Sequence, residues 1–174
     1  MREHQREHQY VTTGECGGEK APGRAGVQGT EGVQIKCRTY GAVTIPAETE
    51  VGTVIPLVNL NVDVQGYKKS CIKVEFLSNI LTDTATATLA FQLLRQCNGQ
   101  MSPIPAGPIW TFSRAVATAD EANFFGFTTC DCDDCHCGCC NYSVVATVVG
   151  APTTGTITIN NATLIATMVE EGDC

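Results

Sequence analysis

Between Ile72 and Leu93 two stretches alternate apolar and polar residues. Ile72, Val74 and Phe76 alternate with Lys73 and Glu75, and then Ala85, Ala87, Leu89, Phe91 and Leu93 alternate with Thr84, Thr86, Thr88 and Gln92. A period of two sends successive side chains to opposite faces of an extended chain, where a helix would scatter them around its axis. The stretch therefore predicts two half-buried strands joined at Thr82-Asp83, each needing an apolar layer to lie against. The same period recurs in Val58, Leu60, Val62 and Val64 against Asn59, Asn61 and Asp63, and in Tyr142, Val144, Ala146 and Val148. With 22 Thr and 16 Val, residues that suit a pleated surface, the chain is expected to be all-β.

The punctuation divides it into about eight strands. Val33, Ile35 and Cys37 alternate with Gln34, Lys36 and Arg38, and Gly41 and Pro46 separate this strand from one over 51–64, in which Pro56 marks an edge or a bulge. Gln65 to Lys69 reads as a turn, as does Asn98-Gly99. The link 102–108 carries Pro103, Pro105 and Pro108, which lack amide donors, so it is no central strand. Ile109 to Arg114, the run with Phe124, Phe125 and Phe127, and Thr156 to Met168 supply the remaining strands. Short strands at this spacing predict a jelly-roll type β-sandwich over residues 33–174. Residues 1–32 hold seven glycines, few apolar side chains and a repeated Arg-Glu-His-Gln, and read as an extended connector arm bearing Cys16.

Thiol chemistry concentrates in one place. Six of the eleven cysteines, Cys130, Cys132, Cys135, Cys137, Cys139 and Cys140, fall in the run CDCDDCHCGCC. That density points to an oxidising destination or to a soft metal. A zinc ribbon sets its CxxC knuckles a dozen or more residues apart, whereas here only His136 separates Cys132/Cys135 from Cys137/Cys140. The run is therefore expected to be a disulfide cluster, the alternative being a Zn(II) or Cu(I) site on Cys132, Cys135, Cys137 and Cys140 in a metal-binding or redox-buffering protein. Cys16, Cys37, Cys71, Cys97 and Cys174 lie in the arm, at strand ends or at the last position, where they are expected to meet neighbouring chains. The odd total leaves at least one thiol for another chain if the rest pair internally.

Other classes find little support. A net charge of −7 repels a phosphate backbone, so no nucleic-acid partner is expected. No run approaches the ~18 apolar residues of a membrane span, and Met1 is followed by a charged stretch rather than an apolar signal segment. Two of three histidines lie in the arm, and His136 has only its flanking Cys135 and Cys137 at hand, which point away from it in an extended chain; GxSxG, HExxH and a phosphate-cradling glycine loop are absent. No enzyme activity and no cofactor are expected.

The segments CIKVEFLSNILT (71–82), FQLLRQC (91–97), MSPIPAGPIWTFSR (101–114), the CDCDDC loop and INNAT (159–163) resemble a family of small cysteine-rich proteins from spore-forming clostridia and their relatives, a domain of unknown function. The resemblance covers 33–166. In plan, an N-terminal cysteine-bearing arm before a jelly roll, the chain is also similar to the subunits of bacterial endospore appendages. That likeness implies a homo-oligomeric fibre, extracellular or on the spore surface, in which arms insert into neighbours and disulfides join subunits, with Cys16 as the arm's cross-linking thiol. The thiols would oxidise after release from the cell rather than during secretion through a signal peptide.

Overall fold

The computed structural model describes residues 33–63, 70–117, 120–132 and 138–170. Its elements are β1 (Gln34–Thr39), β2 (Val43–Ile45), β3 (Val54–Asp63), β4 (Ser70–Cys97), β5 (Ile104–Arg114), β6 (Glu121–Asp131), β7 (Cys139–Val148) and β8 (Thr154–Glu170). Every pairing is antiparallel. The expected arm at 1–32, the turn at 65–69 and the centre of the cysteine run at 133–137 lie outside the described residues.

β4 organises the molecule. The two strands expected around Thr82-Asp83 are one 28-residue strand that leaves one sheet and enters the other. Its first half lies between β8 and β6 in sheet A, from Ser70 to Thr86, and its second half lies between β7 and β5 in sheet B, from Ala87 to Cys97. The crossing costs a slip in phase. Inward residues are even-numbered up to Thr82 and odd-numbered from Ala85, and the corner between them holds Thr84 at φ +46° with a register shift between Asp83 and Thr86. Ser78 and Thr82, which interrupt the apolar pattern, still face inward and are buried.

Sheet A runs β1/β2–β8–β4–β6 and sheet B runs β3–β7–β4–β5. The antiparallel pairs nest: β1 with β8, β3 with β7, and the two halves of β4 with β6 and β5. That nesting is the double Greek key of a jelly roll. Between the sheets, Phe76, Phe91, Leu89, Tyr142, Leu164 and Met168 are fully buried. Trp110 stacks on Phe127 with centroids 3.8 Å apart, and Phe76, Phe91 and Phe125 extend the aromatic seam where β5 approaches β6.

The irregularities fall at edges. Pro56 sits at a bulge on the edge strand β3, and both Leu57 and Val58 turn inward around it. β5 begins earlier than expected, at Ile104, and accommodates Pro105 and Pro108 because it is an edge strand with a break in its register. The Gln92 amide donates to the carbonyls of Gly107 and Pro108 across that break, at 3.0 and 3.3 Å. In β8, Asn161 at φ +54° is the extra residue that keeps both Ile159 and Ala162 pointing into the core. β1 has its apolar residues on the outside: Ile35 is 65% exposed, while Gln34 and Lys36 take the inward parity. At the open rim of a sandwich a long polar stem can cover the core and still reach water. Arg38, on the same parity and exposed, donates to Asn59 of β3, as the Tyr40 hydroxyl also does.

Candidate functional site: the cysteine end of the sandwich

Because β4 folds back on itself, its two ends emerge at the same end of the sandwich. Cys71 begins the strand and Cys97 finishes it. The β4/β6 ladder pairs Ile72 with Asp131, which puts Cys71 across from Cys132, and the two are disulfide-bonded. The β4/β7 ladder pairs Cys97 with Cys140, and these are bonded too. The cysteine run is thus tied by its two flanks to the two ends of one strand. The first staple lies on the outer face of sheet A and the second in the core, with Cys97 and Cys140 buried. Cys139, opposite Asp63 of β3, is disulfide-bonded as well.

These bonds correct two expectations. Cys71 and Cys97 do not serve as links between subunits, because strand register delivers each to a partner in its own chain. Cys130, expected in the cluster, is a free and exposed thiol on β6, since its outward parity aims it at Lys73 rather than at a cysteine. The alternative metal set loses Cys132 and Cys140, whose sulfurs are not thiolates while bonded. Cys135, Cys137 and His136, like Cys16 and Cys174, lie outside the described residues. Among the described residues no group of three potential ligands converges on a metal position.

Beneath the staples sits a polar bridge that the pattern reading passed over. Arg95 of β4 donates through Nη1 to both Asp131 oxygens, at 2.6 and 2.8 Å, and the Tyr142 hydroxyl donates to Asp131 Oδ2 at 2.7 Å. The two charged side chains are 8% and 6% exposed. Asp131 belongs to sheet A, and Arg95 and Tyr142 belong to sheet B. Because breaking a charge pair buried this deeply would leave an uncompensated charge in the core, it holds the two sheets in alignment at this end. The signal was available in Arg95, a charge on the inward parity of Leu89, Phe91 and Leu93, which demands a buried counter-charge.

One thiol remains to be placed. Cys37 on β1 is free and exposed, and it projects from the same outer face of sheet A as Cys130. β1 and β6 are the two edges of that sheet. Three interstrand spacings and an offset of two residues separate the two positions by about 16 Å. A disulfide needs Cα atoms about 4.4 to 6.8 Å apart, so these thiols cannot bond within one chain.

The model of the family described as Domain of unknown function (DUF4489) matches residues 32–169. The chain belongs to this family. No protein of curated function matches it. Solved structures that align with this DUF4489 protein include the infectious bursal disease virus VP2 subviral particle (TM-score 0.46, 13% identity, 81% of this chain and 34% of that one). A structure titled for the promiscuous specificity of carbohydrate-binding modules from the β-sandwich superfamily also aligns (0.37, 9%, 76% and 56%), as does dimeric latent PorU from Porphyromonas gingivalis (0.36, 13%, 76% and 13%). The chain spans about a third of the length of the viral chain. At such low scores the likeness bears on neither function nor assembly.

Proposed function

We propose that this DUF4489 protein is a structural subunit rather than an enzyme: it assembles with copies of itself into a fibre outside the cell or on the spore surface, through docking of the arm at 1–32 and disulfides between subunits. The observation that carries the reading is the sorting of its cysteines. The described pairs are closed within the chain, in strand register, yet Cys37 and Cys130 stand free and exposed on the two edges of one sheet. Disulfides persist in oxidising surroundings, where exposed thiols find partners. Cys16 in the arm and Cys174 are the further cysteines proposed to link subunits.

The test is to purify the full chain under reduction, exchange it into an oxidising buffer, and follow it by non-reducing electrophoresis and electron microscopy. Covalent ladders that collapse to monomer on reduction, together with filaments, are expected. A product that stays monomeric and featureless after full oxidation refutes the reading.

A further inference from the structure

We infer that sheet A is itself the joint: a second copy of this chain lays its β1 edge along β6, continuing the sheet, and a disulfide forms between Cys130 and Cys37 of the second copy. The inference rests on the proposed assembly and assigns its covalent site.

Edge strands offer unpaired backbone groups, and proteins that avoid association guard them with prolines or bulges. Sheet B is guarded on both sides, by Pro56 and its bulge on β3 and by Pro105, Pro108 and a register break on β5. Sheet A differs. β6 pairs with β4 over eleven residues in unbroken register and contains no proline, β1 is equally regular, and among the described residues no strand pairs with the outer side of either. Apolar side chains stand exposed on these edges, Ile35 at 65% on β1 and Phe124 at 72% on β6.

The polarities also fit. Counting antiparallel steps across β1, β8, β4 and β6 leaves β1 running opposite to β6. A copy displaced sideways in the same orientation therefore meets β6 with an antiparallel β1, and it keeps its outer face on the same side. Cys130 and Cys37 both occupy that face. Set opposite one another, they bring Thr128 to Asp131 alongside Thr39 to Lys36 of the second copy, and neighbouring strands place opposed Cα atoms about 4.5 to 5.5 Å apart, within disulfide reach. The free thiols that lie too far apart within one molecule meet between two. Since the joined edges differ, each copy keeps one edge of each kind open, and such a contact propagates instead of closing into a dimer.

Bond formation transfers two electrons and two protons from the thiols to a low-molecular-weight disulfide, which leaves as two thiols. The test uses the full chain in a glutathione redox buffer. Non-reducing peptide mapping of wild-type multimers is expected to give a cross-linked Cys37–Cys130 peptide. Cys37→Ser and Cys130→Ser, each alone, are expected to lose this cross-linked peptide, whereas an equimolar mixture of the two restores it in a dimer band, because one partner still offers Cys130 and the other Cys37. A Cys130→Ser dimer whose map joins Cys37 to another cysteine, or wild-type multimers whose map joins Cys16 or Cys174 and leaves Cys37 and Cys130 free, overturns the edge joint while sparing the assembly reading. Wild type that forms no multimers overturns both.

Discussion

Removing the buried staple, by Cys97→Ala with Cys140→Ala, should lower stability by an amount the connectivity allows one to work out. The bond spans 43 residues, but the unfolded chain is already constrained by Cys71–Cys132, which closes a ring of 61. Cys97 divides that ring into arms of 26 and 35 residues, and eight more residues lead from Cys132 to Cys140. Two arms in parallel followed by one in series behave as a loop of about 23 residues rather than 43. Loop-closure entropy then gives about 3.4 kcal/mol at 25 °C. Loss of two well-packed sulfurs, at sites 3% and 0% exposed, adds a fraction of a kcal/mol, for a total of about 4. With an unfolding entropy near 2.1 cal/mol/K per residue, that corresponds to a melting temperature lowered by about 15 °C. Differential scanning calorimetry without reductant measures it. A fall of less than about 5 °C would mean that the unfolded chain gains little freedom when the staple is cut, and the entropic argument would be wrong.

Two further substitutions probe the interior. Arg95→Met should cost about 3 to 5 kcal/mol because it strands Asp131 in the core, and adding Asp131→Leu should recover much of the loss, as read from urea unfolding in a double-mutant cycle; fully additive losses would refute the pairing as the cause. At the β8 bulge, Asn161→Val should cost about 1 to 2 kcal/mol because a β-branched residue resists φ +54°, while Asn161→Gly should stay within a few tenths in the same urea assay.

The sheets were legible in the sequence because burial on one face imposes a period of two, which β7 follows from Cys140 onward and β8 follows on either side of Asn161. What misled was polarity inside that period. Ser78 and Thr82 occupy buried positions in the middle of β4 and made one strand look like two. In β1 the parity was inverted: Lys36 and Arg38 take the inward parity at the rim, opposite Ala166 and Leu164, and Ile35 faces water. The disulfide partners were hidden for a different reason: pairing depends on register across strands far apart in sequence, and no local pattern joins Cys71 to Cys132. Once β4 is known to run through both sheets, Cys71 and Cys97 arrive at one end together and their partners follow.

The same strand gives the molecule a mechanical character. If the chain is pulled along its length, tension arriving at Cys71 passes straight through sulfur to Cys132, and the 61-residue excursion between them carries none of it. At about 3.4 Å per extended residue, some 200 Å of slack is locked away. β4, β5 and β6 therefore form a core that stretching alone cannot unravel, and only β1 to β3, β7 and β8 can peel. A thread made of such units resists elongation until its thiol bonds are reduced, and then lengthens before it parts.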